Sequence, residues 1–139
     1  MAGIVETPIQ IIQEVLPNPI YDVSITNDGS YDSVEKTIQV NRKVDAIVMS
    51  SSCCGTNASI SSYSYAGSEV TCEITYKDST TEQLEVTSSQ QISNHGSSSD
   101  IKIFSNFKNE ILTIKFKVYQ NKQTSGKSGS FACGTIVII

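Results

Sequence analysis

Tryptophan is absent from this chain of 139 residues, proline occurs only three times, and histidine occurs once, as His95. No apolar run approaches the roughly 18–20 residues that a membrane-spanning helix requires. The opening residues, MAGIVETPIQ, contain Glu6 and no basic segment ahead of an apolar stretch, which does not fit a secretory signal. We therefore expect a soluble protein that either stays inside the cell or leaves it without a cleaved signal.

Cysteine is also scarce, and its four positions fit no metal site. Cys53 and Cys54 are adjacent, and neighbouring cysteines rarely bond each other because the resulting geometry is strained. The successive spacings of 1, 18 and 61 residues match no zinc pattern, and a single histidine cannot complete one. We predict reduced, buried thiols, with a disulfide between Cys72 and Cys133 as the alternative.

No catalytic constellation stands out either. His95 lies in the serine-rich stretch NHGSSSD, but a catalytic triad depends on a geometry that a polar loop does not hold. Asp28, Asp32 and Glu35 carry calcium-binding groups, yet their spacing is not that of an EF-hand loop, and such acceptors also serve to hold a turn. The sequence therefore predicts a non-enzymatic protein with no catalytic residue, no metal and no cofactor.

Charge and composition limit the class of protein further. The formal net charge is −4, and an acidic chain does not fit nucleic-acid binding. A length of 139 residues fits one domain that buries a core of its own. Serine and threonine are abundant, which favours strands and turns over helices.

Two stretches, at residues 70–76 and 112–119, alternate between apolar and polar residues. Period two over this length predicts strands with one buried face, and a buried face needs a second layer over it. We therefore predict an all-β fold, an antiparallel β-sandwich. The residues predicted to face inward are Val70, Cys72, Ile74 and Tyr76 in one strand, and Leu112, Ile114, Phe116 and Val118 in the other.

Weaker patterns complete the sandwich. Leu84 and Val86 are expected to face inward on a strand that forms a hairpin with residues 70–76. Turn signals at intervals of about 8–12 residues are typical of a sandwich or a jelly roll. Further strands are predicted at residues 20–26, 36–40, 44–50, 82–87, 101–107 and 131–139, with a weak one at 59–65, and loops at the polar stretches 51–62, 88–100 and 120–130.

The first 19 residues form a distinct segment, and the sandwich domain is expected to span residues 20–139. Ile9, Ile12 and Leu16 fall at helical spacing, which predicts a short helix, but an extended N-terminal arm fits equally well. Pro17 and Pro19 end whichever structure precedes them.

Residues 44–49 read VDAIVM ahead of a polar stretch, and residues 70–79 read VTCEITYKDS. Together with the small and apolar final strand at 132–139, these motifs resemble the galactose-binding-like (discoidin-like) jelly-roll family. The resemblance implies a jelly-roll sandwich and, as in the sugar-binding members, a sugar site. The chain departs from the family because no glycine follows Asp78 and no tryptophan is available to stack on a sugar, so the resemblance favours the fold more than sugar binding.

An interaction surface is predicted from residues that the sandwich does not obviously use. Residues 136–139 are apolar throughout, so the last strand is expected to be either central in its sheet or covered by another subunit. Tyrosine suits an interface because its ring is apolar and its hydroxyl is polar. The candidate surface residues are Ile9, Ile12, Leu16, Tyr63, Tyr65 and Ile138.

A short apolar arm followed by a serine- and threonine-rich sandwich resembles small phage virion proteins in style. This resemblance implies a structural protein, such as a capsid decoration, head-fibre or tail-attachment protein, located in the virion or the cytoplasm. The expected partners are other proteins or further copies of the chain, most simply in a trimer, and neither nucleic acid nor a membrane. A carbohydrate-binding jelly-roll module that takes a surface glycan is the alternative.

Overall fold

The computed structural model describes residues 9–15, 21–27, 33–57, 64–92, 95–120, 123–124 and 128–139. These residues form ten strands and no helix. The strands are β1 (Ile9–Val15), β2 (Tyr21–Asn27), β3 (Ser33–Arg42), β4 (Ala46–Asn57), β5 (Ser64–Tyr76), β6 (Thr81–Ile92), β7 (His95–Ser105), β8 (Ile111–Gln120), β9 (Gln123–Thr124) and β10 (Ser128–Ile138).

The strands form two sheets in the order of a jelly roll. The first sheet runs β1-β3-β8-β5-β6, with the short β9 beside β5, and the second sheet runs β2-β10-β4-β7. Without β1 and β9, these are two four-stranded sheets between which the chain crosses as two Greek keys. Every pairing is antiparallel except that of β1 with β3. The predicted antiparallel β-sandwich of jelly-roll type is confirmed.

The core lies between the inward faces of the two sheets. On β5, the alternating set Val70, Cys72, Ile74 and Tyr76 is fully buried, as predicted. Burying a large apolar side chain stabilises a fold by about 1.5–3 kcal/mol, so these alternating sets supply much of the stability. Leu84 and Val86 of β6 lie beside this set in the same sheet, and the facing side chains of the second sheet include Ile47 and Met49 of β4 and Ala132, Ile136 and Ile138 of β10.

Ile111 occupies the core position that strict alternation assigns to Leu112. Leu112 is only half-buried, whereas Ile111 has no exposed surface, and the rest of the predicted inward set of β8 is fully buried. The pairing of β8 shifts register between residues 39 and 42 of β3, and again between residues 75 and 76 of β5. Because a bulge changes the side to which the following residues point, the prediction for Leu112 is wrong at the start of this strand only.

The two sheets approach each other closely at Gly134 of β10. A Cβ atom at this position would lie 2.6 Å from Val118 Cγ2 and 2.8 Å from Val70 Cγ2, both on the first sheet. These separations are far below van der Waals contact. Only glycine fits here without movement of the facing valines.

Buried hydroxyl groups join the sheets beside this contact. Ser51 pairs with Gly134 across the second sheet, and its Oγ donates a hydrogen bond of 2.9 Å to the carbonyl oxygen of Ser68 on the first sheet. The same Oγ lies 3.1 Å from Ser88 Oγ, and Ser68 Oγ donates to the carbonyl oxygen of Cys133 at 3.4 Å. Small side chains thus satisfy each other's polar atoms where the sandwich is narrow.

Three polar stretches predicted as loops are largely strand. Residues 51–57 continue β4, residues 88–92 continue β6, and residues 95–100 begin β7. Residues 123–124 form β9, and residues 128–130 begin β10. The physical reason is pairing: the serine-rich parts of β4 and β7 hydrogen-bond to each other, from Ser51 opposite Asp100 to Cys54 opposite Ser97. Serine gives no apolar alternation, so the sequence pattern does not reveal these strands.

The N-terminal segment is extended where it is described. Residues 9–15 form β1, which pairs in parallel with β3 from Ile9 opposite Ser33 to Val15 opposite Gln39, so the helical alternative is wrong for these residues. A strand forms here because β3 offers a free edge to which the backbone of β1 bonds. The described part of the chain contains no helix with the length and apolar character needed to cross a membrane.

The final strand is central in its sheet. β10 lies between β2 and β4, which is the first of the two arrangements expected for an apolar C-terminal strand. Ile138 pairs with Ile47, and both side chains are fully buried in the core. Its assignment to an interaction surface is therefore wrong, because the inward face of β10 packs against the first sheet.

Candidate interaction surface

The predicted surface residues do not form one cluster. Ile9 is 53% exposed and Ile12 is half-buried, and both lie on β1. Ile138 is buried in the core. Tyr65 lies on β5, while Leu16 and Tyr63 are outside the described residues.

A different surface, on the outside of the second sheet, brings together residues that carry no charge. Directly paired residues point to the same side of a sheet, so the pairings give its rows. Val137, Val48 and Ile103 form one row, and Thr135, Ser50 and Ile101 form the next. The rows that follow are Cys133, Ser52 and Ser99, and then Phe131, Cys54 and Ser97. We call these twelve outward residues of β10, β4 and β7 the uncharged face.

The uncharged face exposes large apolar side chains. Ile101 is 63% exposed and Ile103 is 72% exposed, at the edge strand β7. Val48 and Val137 beside them are half-buried, and Phe131 is 48% exposed at the other end of the face. Isoleucine and valine next to each other on the outside of a sheet make a continuous apolar patch, with serine and threonine around it.

Strand β2 extends this face along its other edge. Ser24 Oγ lies 2.9 Å from Thr135 Oγ1, and Thr26 Oγ1 donates to Cys133 Sγ at 3.8 Å. Asp22, opposite Val137, is exposed and is the one charged residue among the outward side chains described on these four strands. The charge therefore lies at the margin of the face.

The outside of the first sheet has the opposite character. Lys117 Nζ lies 3.3 Å from Glu35 Oε2, and this pair is largely shielded from solvent. Burial lowers the pKa of Lys117, but hydrogen bonds to Tyr119 and Glu35 outweigh that effect and hold the pKa above its usual range. Further charged residues that point outward from this sheet are Glu69, Glu73, Glu85 and Lys115.

An open depression of about 480 Å³ lies at the phenylalanine end of the uncharged face. Hydroxyl and thiol groups dominate it, and Cys54 is exposed there while Cys53 is buried. All four cysteines are free. The predicted burial holds for Cys53 and Cys72, where it raises the pKa of the Cys72 thiol, but it is wrong for the exposed Cys54, and Cys133 is half-buried. The residues that line the depression are Ser52, Cys53, Cys54, Ser97, Ser98, Ser99, Phe131 and Cys133.

A set of charged residues closes the end of the sandwich near the β5–β6 turn. The Tyr76 hydroxyl donates a hydrogen bond to Glu82, and Lys108 Nζ lies 5.1 Å from the centre of the Tyr76 ring. Asp78 pairs with Lys108 at 3.6 Å. Hydrogen bonds from the Thr80 hydroxyl and backbone N–H hold the pKa of Asp78 below its usual range. These contacts fasten a turn to the neighbouring β7–β8 connection.

No group of three or more histidine, cysteine, aspartate or glutamate side chains in the described ranges is placed to hold a metal ion. No residue of the uncharged face is among the surface residues predicted from the sequence. The signal for Ile101 and Ile103 was present as alternation with Asp100 and Lys102, but alternation alone does not say which side of a strand faces the core.

Comparison with protein families and with curated proteins finds no match. Among solved structures, the chain is similar to the VP2 subviral particle of infectious bursal disease virus, with 11% identity over 87% of this chain and a TM-score of 0.47. It is also similar to T=1 particles derived from that virus (13% identity, 88% of this chain, TM-score 0.45). The chain spans about a third of the length of these viral proteins, 33% and 32% respectively.

A mitogen derived from Yersinia pseudotuberculosis is similar too, with 11% identity, 86% of each chain covered and a TM-score of 0.39. The structural neighbours thus include viral capsid proteins and a bacterial mitogen. The resemblance to the galactose-binding-like family stays a prediction.

Proposed function

We propose that this chain is a non-enzymatic structural protein of a virus-type particle, which attaches to its partner through the uncharged face. The observation that carries the proposal is the exposure of Ile101 and Ile103 beside Val48 and Val137 on a face without charged side chains. Decoration of a capsid, a head fibre and a tail attachment are the roles that suit a small sandwich with one such face.

The energetic reason is the cost of leaving this patch in water. Burial of apolar surface stabilises by about 25 cal/mol per Å². Ile101 and Ile103 are 63% and 72% exposed, so most of the stabilisation that their burial would give is absent in the isolated chain. Single exposed apolar residues are common, but contiguous apolar patches with a polar surround mark protein contacts. The serine and threonine residues around the patch are the polar rim that such contacts have.

The edge strand β1 offers a second contact. Ile9 and Ile11 are 53% and 65% exposed, and β1 ends the first sheet, so its outer backbone groups pair with no strand among the described residues. An unpaired, apolar edge is a template for a strand from another chain. The arm expected from the sequence thus supports attachment to a larger assembly, and a trimer remains one arrangement through this edge.

Fractionation of the source culture tests the proposal. Particles are collected by sedimentation, washed at low and at high salt, and probed for the chain by immunogold electron microscopy. We expect regular labelling that survives 1 M NaCl, because an uncharged contact is not weakened by ionic screening. If the chain is found only in the supernatant, or if the salt wash removes it completely from the particles, the proposal is contradicted.

One observation favours a carbohydrate-binding module as the second candidate. Phe131, 48% exposed, borders the depression lined by serine hydroxyls, and an aromatic ring beside hydroxyl groups suits the apolar face and hydroxyls of a sugar. A glycan array tests this directly. Binding by the full chain that is lost in Phe131→Ala supports the second candidate, and an empty array contradicts it.

A further inference from the structure

We infer that the partner on the uncharged face is a second copy of this chain, packed face to face about a two-fold axis. This inference rests on the proposed function, because it names the occupant of the same face. Three properties of the face carry it: its lack of charge, its area and its shape.

The lack of charge makes the face compatible with itself. In a two-fold contact the same patch meets its own copy, so each charge on it faces a patch of the same charge distribution. The outside of the first sheet carries both signs, including Glu73, Lys115 and the Glu35–Lys117 pair, and a self-contact there has to desolvate these charges and pair them again. On the second sheet, Asp22 stands alone at the margin, so no central charge needs a partner.

Charge also argues against a different partner. The chain has a net charge of −4, and a basic partner would be selected by acidic groups on the contact surface. The uncharged face presents none of these groups between β10 and β7. The surface that matches exposed isoleucine, valine, serine and threonine is another one of the same composition.

The outside of the second sheet approaches the area of one side of a standard dimer interface. Strands β4, β7 and β10 are 12, 11 and 11 residues long, and β2 adds 7 residues. With strands about 4.8 Å apart and about 3.4 Å per residue, the outside of this whole sheet covers roughly 650 Å² in projection, and the uncharged face takes up about half of that area. Stable interfaces bury about 800 Å² per partner, and a pleated surface exposes more than its projection, so the contact extends from the uncharged face onto β2 and the ends of the strands.

The shape of the isoleucine and valine end suits sheet-on-sheet packing, and the depression beside Phe131 lies at the other end of the face. Apart from Phe131, the side chains of the face are small or β-branched, and sheets with such faces pack about 10 Å apart. The same molecule shows this kind of packing at Gly134, where Val70 and Val118 of the first sheet meet the second sheet and Ser51 bonds to Ser68 beside them. A second copy would repeat that arrangement on the outside of the second sheet.

Sedimentation velocity of the full chain tests the inference, with Ile103→Lys as the disrupting variant. Lysine at this exposed position leaves the core untouched but brings a charge into the patch on both copies, and we expect the dissociation constant to rise at least about a hundredfold. Ile103→Ser removes the apolar side chain without adding charge, and we expect a rise of about tenfold. The matched control is Gln83→Lys, which adds the same charge to an exposed, outward position of the first sheet.

The inference predicts a dimer of wild-type chain at micromolar concentration in both 0.1 M and 1 M NaCl. It predicts monomeric Ile103→Lys and a dimer of Gln83→Lys, with unchanged circular dichroism in both variants. A wild-type monomer, a dimer that persists in Ile103→Lys, or a trimer as the smallest assembly overturns it. If the chain alone is monomeric yet remains on salt-washed particles, the second-copy inference fails while the proposed function stands. If the chain dimerises in solution but is absent from particles, the second-copy inference stands and the proposed function fails.

Discussion

Gly134→Ala probes the close approach of the two sheets. The added Cβ would lie 2.6 Å from Val118 Cγ2, 2.8 Å from Val70 Cγ2 and 3.1 Å from Val70 Cγ1. Both valines have no exposed surface, and a β-branched side chain has few rotamers into which it can retreat. The sheets must therefore separate locally, or the valines must leave their preferred rotamers.

The magnitude follows from two opposing effects. Overpacking of a tight core costs about 1–3 kcal/mol. Replacement of glycine by alanine also restricts the unfolded chain, which offsets about 0.4–1 kcal/mol of that cost. We expect the free energy of unfolding to fall by about 1–2 kcal/mol.

Urea unfolding followed by far-UV circular dichroism measures this change. The slope of the unfolding free energy against urea concentration should be the same for both proteins, as a two-state comparison requires. Val118→Ala is the matched control: alone it should cost about 2–3 kcal/mol, but in the Gly134→Ala background it removes the closer of the two clashes and leaves the one with Val70. The double variant should therefore lose at least about 0.5 kcal/mol less than the sum of the single losses. A Gly134→Ala protein as stable as wild type, or strictly additive losses, would refute the reasoning.

Three further predictions concern the core, a turn and its titration. Cys72→Ala should lower the free energy of unfolding by about 1–3 kcal/mol through lost packing, and native alkylation followed by mass spectrometry should modify exposed Cys54 but not Cys72; a native mass two protons low before reduction would instead reveal a disulfide. Ser79 has a φ of 69°, a conformation that favours glycine, so Ser79→Gly should raise the free energy of unfolding by about 0.5 kcal/mol in urea titrations, and a loss of stability would contradict this. Because the folded pKa of Asp78 is lowered, its contribution is present above the unfolded value of about 3.9 and is lost as pH falls through the folded pKa. The melting temperature of Asp78→Asn should accordingly lie below that of wild type at pH 7 and converge with it towards pH 2, and a constant difference across this range would exclude the titration of Asp78 as the cause.

The sequence predicts those parts of the fold in which apolar residues alternate. The residues predicted to face inward on β5 and β6 are buried in the structure. The prediction succeeds there because burying the polar residues of these strands would cost far more free energy than burying the apolar ones. Of the two arrangements expected for the apolar C-terminal strand, central in its sheet or covered by another subunit, β10 takes the first. The start of β8 is wrong because a register shift depends on its partners in β3 and β5 and leaves no local mark in the sequence.

The candidate surface could not be predicted, because it depends on which strands are neighbours. Val137, Val48 and Ile103 are far apart in the chain and form one row only in the strand order β10-β4-β7. The serine-rich ends of β4 and β7 have a polar composition typical of loops, and only their mutual pairing makes them strands. Ile138 was wrongly assigned to the surface because residues 136–139 are all apolar, and such a run does not show which of its residues face the other sheet.

Incorporation into particles tests the central claim, that the uncharged face holds this chain in its assembly. Wild-type, Ile103→Lys and Gln83→Lys chains would each be supplied as the only copy of the chain while particles assemble, and the particles would then be sedimented in 1 M NaCl. We predict that wild type and Gln83→Lys sediment with the particles and that Ile103→Lys stays in solution. Equal incorporation of all three chains would contradict the claim.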